Sequence, residues 1–330
     1  MRNLVRKAAA AVTVAASLTA LPALAETRWT MASGYPEDSF FTKNIRQLIA
    51  EVQEATNGEL VIDLRPNDEL IKHDAIKRAV QAGQVQMGEI RLAVYTNEEK
   101  IYGLDNLPNL VTTYDEAWKL MEVQKPYLDE LLGKRGMRLI TYEPWPGQGF
   151  YTAEPVTSLA DLEGQSIRIY SPQTQTMCEM MGMKATILPF AEVPQAFSTG
   201  LIEALWTSAQ TGTDVQAWDY VKHFTYTGSM HNKNAIIVNE RAFKALDEAS
   251  QKALLEAGER ATERGWALSK EASDSKQKEL AGHGMVIAEA PEDVMAKMRE
   301  IGVAMVADWR EGASPEQLAV LDAYLAAVGR

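Results

Sequence analysis

Apolar residues at Phe41, Ile45, Leu48, Ile49 and Val52 recur at helical spacing, and Asn57-Gly58 supplies a stop. The stretch TRWTMASGY before them reads as a strand and a polar turn, and ELVIDLRP after them as a second strand. DAIKRAVQAGQ then reads as a short helix ending at Gly83, and VQMGEIRLA as a third strand. Strands alternating with helices in this way predict a parallel sheet of the α/β class.

A second cycle follows. YDEAWKLMEVQKPYLDELLGKRG reads as a helix with a glycine stop, and MRLITYEPWPGQGFYT as strand plus turn. SLADLEG and QSIRIY give a short helix and a strand, SPQTQTMCEMMG a helix, and MKATILPF a strand. AEVPQAFSTG is a helix, LIEALWTS a strand, TGTDVQAWDYVKHFT a helix, and NAIIVNERAFKAL a strand running into a helix. From Glu248 to Gly282 the chain is nearly free of helix breakers, which predicts one helix of unusual length. It shows no sustained heptad, so we read it as a brace between two lobes and not as a coiled coil.

The first 25 residues stand apart. Arg2, Arg6 and Lys7 precede an apolar run from Ala8 to Leu21, and Ala23-Leu24-Ala25 is a small-x-small cleavage site. This is the pattern of a secretory signal peptide, and the run is short for a membrane span. The product is expected in an exported, periplasmic compartment, starting near Glu26. The 330-residue chain carries a formal charge of −12 with three positives in that leader, and it has no basic patch, so nucleic acid is not an expected partner. Cys178 is the only cysteine and makes no internal disulfide, so stability must come from the core.

One residue raises a question of chemistry. Arg168 sits between Ile167 and Ile169 in a strand that reads as buried, and a guanidinium is almost never fully buried without a partner. It lies near the C-terminal end of its strand, where α/β sheets place binding crevices, and its planar fork matches a carboxylate. A helix starting near Ser171-Pro172 points its N–H groups the same way. The residues alone leave two partners open: a bound anion, or a structural ion pair with Glu163, Glu192 or Glu203.

The phrases DLEGQSIRIY, LPFAEVPQAFSTGLIEA and AIIVNERAFKALDEASQKALLEAGERA resemble the solute-binding proteins of TRAP (tripartite ATP-independent periplasmic) transporters, from about Trp29 to the region of Gly284. The resemblance implies an α/β periplasmic binding protein fold: two lobes of mixed, mostly parallel sheets, a central cleft, and a long helix bracing both. It implies lobe I over 26–149 plus about 235–273, and lobe II over 150–234 plus about 274–330. It also implies that Arg168 pairs with the carboxylate of a small organic acid anion, that TRAP membrane subunits are the partners, and that the receptor is a monomer without a cofactor.

The chain departs from the family's pattern at several positions. Many relatives carry a second arginine about 20 residues before the first, and here Gln148 stands at or beside that position. Arg91 stands where sialic-acid-binding members place an acidic contact, which suits a more anionic solute; a pair with Glu89 is the alternative. LIEALWTSAQTG aligns with a segment whose asparagine often touches the ligand, and Trp206, Thr207 and Ser208 stand there instead. Trp145 between two prolines, Trp206, Thr207, Tyr35 and Phe40 are cleft candidates; Gln210 and Asp214 are weaker, being placed on an exposed helix face. The rings tilt the expected solute toward an aromatic, hydrophobic or hydroxy acid.

Signs of catalysis are lacking. The four histidines fall in separate segments, there is no nucleophile elbow, and neither a paired-cysteine nor an H-x-x-x-H metal motif nor a Walker loop appears. The expected function is therefore solute capture for a TRAP transporter. Service to an ABC importer or a sensor kinase is the alternative, and a secreted hydrolase the remote one.

Overall fold

The computed structural model describes residues 26–330; the leader read over 1–25 lies outside the described residues. The chain opens with β1 (Thr27–Ala32), α1 (Phe40–Ala55), β2 (Leu60–Arg65), α2 (Ile76–Ala82), β3 (Met87–Arg91), α3 (Tyr114–Lys134) and β4 (Met137–Pro144). It continues through β5 (Gln148–Thr152), β6 (Ser166–Ile169), α4 (Pro172–Met180), β7 (Lys184–Ile187), α5 (Val193–Ser198), β8 (Ala204–Ser208), α6 (Ala209–Asp214) and β9 (His223–Tyr226). It closes with β10 (Lys233–Asn239), α7 (Glu240–Lys244), α8 (Glu248–Gly282), β11 (Val286–Glu289), α9 (Glu292–Glu311) and α10 (Pro315–Ala327).

Two sheets form two lobes. The first has the order β2-β1-β3-β10-β4, the second β11-β9-β5-β8-β6-β7. Each is parallel in sense except for one strand: β10 runs against β3 and β4, and β5 against β8 and β9. These two are the strands on which the chain enters each sheet after crossing from the other. The crossings span 145–147 and 227–232, a few residues before the lobe bounds expected at 149/150 and 234/235. Gly147 in the first crossing lies under Tyr226, whose Oη would stand 2.3 Å from any Cβ added there, so a larger residue requires the tyrosine ring to move.

The predicted long helix is α8, of 35 residues. It packs on α1 and β4 of the first lobe and on α6 and β11 of the second, so it braces both. Contact with β4 is close at Gly258, where an added Cβ would stand 2.4 Å from the Ile140 carbonyl oxygen. A second strap follows. α9 packs on α4, its Trp309 Nε1 donates to the Lys100 carbonyl oxygen at 3.2 Å, and α10 packs on α3.

Two elements differ from the sequence reading. MRLITYEPWPGQGFYT is two strands, one in each sheet, because Pro144-Trp145-Pro146-Gly147 breaks the ladder between them. The helix expected over TGTDVQAWDYVKHFT stops at Asp214, and His223 to Tyr226 pair with β5 and β11 as β9. Gln216 adopts a left-handed conformation, with φ 53, that ends the helical run.

Candidate ligand-binding site

Both sheets point the carboxyl edges of their parallel strands at one narrow cavity between the lobes. From the first lobe come Tyr35 after β1, Arg91 at the end of β3 and Trp145 just past β4. From the second come Arg168 and Tyr170 at the end of β6, Thr207 at the end of β8, Thr211 in α6, and Phe190 after β7. The reversed strands contribute their opposite ends, Gln148 at the start of β5 and Asn232 just before β10. This is the crevice that α/β sheets form beyond the carboxyl ends of their strands.

Arg168 is 2 % exposed. Its Nε donates to the Leu188 carbonyl oxygen at 3.0 Å, and its guanidinium carbon lies 5.8 Å from the centre of the Tyr170 ring. Among the described residues neither Glu163, Glu192 nor Glu203 pairs with it; Glu203 instead accepts from the Ser166 backbone N–H at 3.4 Å. Burial, and after it the positive charge of Arg91, pulls the Arg168 pKa down to about 9. The group remains a cation at neutral pH, but one whose charge the protein leaves uncompensated. Arg91 pairs with Asp74 from the turn before α2, not with Glu89, and its Nε has no partner. Two guanidinium groups facing one small cavity make a positive site suited to an anion.

Rings make much of the remaining wall. Tyr35 meets Trp145 edge-on at 5.2 Å and Phe190, from the other lobe, at 5.9 Å, and it stacks on Phe41 at 5.3 Å. Trp145 is anchored through its Nε1, which donates to Asn234 Oδ1 at 2.9 Å. Asn234 Nδ2 in turn donates to Glu89 at 2.9 Å, and Ser33 Oγ donates to the other oxygen of the same carboxylate. Glu143, across β10, accepts from Asn44 Nδ2 at 2.6 Å, and Asn44 accepts from Arg264 of α8 at 2.6 Å. Burial is the main cause that pushes the Glu89 carboxyl up to about 7 and Glu143 well above its usual range. Glu143, through Asn44, thus ties β4 to the brace helix.

Six of the eight residues singled out in the sequence line this cavity: Tyr35, Arg91, Trp145, Gln148, Arg168 and Thr207. Trp206 and Phe40 do not. Successive residues of a strand face opposite ways, so Thr207 facing the cavity sends Trp206 into the core, where it lies 4.6 Å from Phe150. Phe40 stands behind the wall, stacked on Phe41 at 4.0 Å. Gln210, expected on an exposed face, is fully buried and donates to Asp214 at 2.7 Å. Gln148 spends its Nε2 on the Pro146 carbonyl oxygen at 2.8 Å, so its amide is held in the crossing. Tyr170, Phe190, Thr211 and Asn232 were missed. Tyr170 was within reach of sequence reasoning, since it lies two residues after Arg168 and hence on the same strand face.

The family described as bacterial extracellular solute-binding protein, family 7, matches residues 31–312. A Bordetella pertussis extracytoplasmic solute receptor binding pyroglutamic acid is similar in structure, with 39 % identity, TM-score 0.88, and coverage of 90 % of this chain and 99 % of that one. A TRAP solute-binding protein from a marine metagenome, specific for pyroglutamate, shows 31 % identity at TM-score 0.88 and covers 91 % and 99 %. A solute-binding protein of a Sulfitobacter species is 25 % identical over 278 residues, 83 % of this chain and 84 % of its own. The chain belongs to family 7 of the bacterial extracellular solute-binding proteins, the solute receptors of TRAP transporters.

Proposed function

We propose that this protein is an exported, periplasmic receptor that captures a small organic acid monoanion, with pyroglutamate the first candidate, and delivers it to TRAP membrane subunits. The observation that carries this reading is Arg168: buried, charged, lining a closed cavity, and without a protein carboxylate. A solute carboxylate supplies that missing partner, bidentately, to a guanidinium already oriented by Leu188. The two relatives at 31 % and 39 % identity bind pyroglutamate, a small acid with one carboxylate. In this reading Tyr35, Trp145 and Phe190 wrap the solute ring, and Arg91 adds positive potential without a second ion pair, because Asp74 already holds it.

We divide the lobes as expected but with the boundaries at the two crossings, so that lobe I takes 26–144 plus about 233–273 and lobe II 148–226 plus about 274–330, with the cleaved leader at 1–25. The role is capture and release, not turnover. Titration calorimetry with pyroglutamate, galacturonate and glycerol 3-phosphate tests the reading. Pyroglutamate is expected to bind at micromolar strength or tighter, unchanged on recovery, and Arg168→Ala to abolish the signal. Absence of binding by any of the three acids, or undiminished binding by the variant, overturns it.

A further inference from the structure

Among the polar groups on the cavity wall that neither the acid receptor nor the aromatic wall uses is a carboxamide. Asn232 lines the cavity from the second crossing, is 7 % exposed, and its Oδ1 has no hydrogen-bond partner among the described residues. A buried carbonyl oxygen without a donor is costly and uncommon in native proteins, and the residue that carries it lines the space a solute fills. The other orphaned polar atoms on the wall are the Tyr35 hydroxyl and the Arg91 Nε, both able to donate. The second carboxamide on the wall, Gln148, already gives its Nε2 to Pro146.

We propose that Asn232 is the specificity-determining residue of the cavity, and that it reads an N–H group of the solute. This deepens the proposed function and rests on it. A carboxamide carries an acceptor and a donor side by side on one edge. A lactam is a cis amide and presents N–H and C=O side by side on its own edge. The two edges pair through two parallel hydrogen bonds, lactam N–H to Asn232 Oδ1 and Asn232 Nδ2 to the lactam oxygen. Arg168 and Asn232 line the same narrow space, so one small molecule reaches both and the site selects a cyclic acid whose ring bears an amide. Simple keto acids satisfy Arg168 but bring no donor for Oδ1, and a hydroxyl offers one atom where the lactam offers a donor and an acceptor side by side.

The test compares pyroglutamate with 3-oxocyclopentane-1-carboxylate of matching hand, which puts CH₂ in place of the ring N–H and keeps the carboxylate, the carbonyl and the size. Calorimetry on the wild type should favour pyroglutamate by about 10- to 100-fold, the usual effect of leaving one buried acceptor unpaired. Asn232→Leu should lose that preference: both acids give up the bond from Nδ2 to the ring carbonyl, and pyroglutamate alone also gives up its N–H bond, so it weakens by the larger factor. The Asn232 backbone carbonyl, which accepts from Trp145 N–H at 2.7 Å, is retained in the variant, and melting checks its fold. If it does not fold, the wild-type pair of affinities decides alone. Equal wild-type affinities for the two acids, with binding of both lost in Arg168→Ala, overturn the role of Asn232 and leave the receptor reading standing. Failure of both acids to bind overturns both readings.

Discussion

Arg168 gives its Nε–H to the carbonyl oxygen of Leu188 at 3.0 Å, just past the end of the neighbouring strand β7. That bond fixes the plane of the guanidinium while leaving its outer edge to the cavity. The protein supplies orientation but no counter-charge, and the acidic group that acts on it most, Asp74, is engaged by Arg91.

This division of labour makes opposite forecasts for the free and bound protein. Arg168→Met replaces a buried cation by an apolar side chain of similar length. Without ligand the melting temperature should hold or rise, because an uncompensated charge leaves the interior. With pyroglutamate, affinity should fall by about 2–5 kcal/mol, roughly 30- to several-thousand-fold. Arg168→Lys should lose most of it too, since a point charge does not reproduce the fork. Melting and calorimetry on the same variants decide. A lower apo melting point with affinity kept would make Arg168 a structural residue.

Glu89 gives the fold a pH dependence of definite sign. Burial raises its carboxyl to about 7 from an ordinary 4.5. A carboxyl whose folded pKa lies above its unfolded one binds its proton more tightly when folded. It therefore contributes stability that is full below about 4.5 and lost as pH rises through about 7. Glu89→Gln keeps groups for Ser33 and Asn234 but does not ionise. Its melting point should exceed that of the wild type at pH 8.5, by at most roughly 3 kcal/mol in stability, and the gap should close by pH 5. A wild type that is the more stable protein at pH 8.5 would refute the assignment.

Much of this was legible in the sequence, for identifiable reasons. The helix over 248–282 had no breaker, and α1 had a clean 3.6-residue period and a stop at Asn57-Gly58, so their bounds emerged closely. Arg168 stood out because a charge between two isoleucines in a strand demands an explanation. The strand β9 was lost because His223 to Tyr226 lacks alternation, being covered on both faces by neighbours that only the fold brings up. Asn232 and Phe190 sit in turns, where neighbouring side chains follow no period. The burial of Trp206 followed from the facing of Thr207, and the parity of that strand depended on which residue met the cavity.

The packing of the brace helix yields a paired forecast on two glycines. At Gly258 a Cβ would approach the Ile140 carbonyl oxygen to 2.4 Å, and backbone cannot step aside cheaply. Gly258→Ala should push α8 off β4 and cost about 1–3 kcal/mol, as overpacking does, partly offset by the better helix propensity of alanine. Gly133, near the end of α3, has nothing within 4 Å of the same position. There Gly133→Ala should gain about 0.5–1 kcal/mol from propensity alone. Urea unfolding of both variants measures the contrast. A neutral Gly258→Ala would mean that α8 is held to β4 more loosely than the structure has it.

Closure is the remaining forecast, and the two crossings define its axis. Trp145 N–H donates to the Asn232 carbonyl oxygen at 2.7 Å, so the two connections between lobes are tied to each other where they pass. Away from that tie, the lobes meet over the cavity through side chains such as Tyr35 and Phe190, 5.9 Å apart. A space walled in this way is too narrow to admit a solute unless the lobes part. Bending at 145–147 and 227–232, with flexing of α8, opens it while the tie persists. The free protein should then populate an open form, and a solute that binds both lobes should shift it to the closed one. Small-angle scattering should report a smaller radius of gyration with saturating pyroglutamate than without. Phe190→Ala, which removes a cross-lobe contact and leaves Arg168 in place, should weaken binding and reduce the change in radius together. Identical scattering curves for free and saturated wild-type protein would exclude hinge closure and require entry by local side-chain motion at Tyr35 and Phe190.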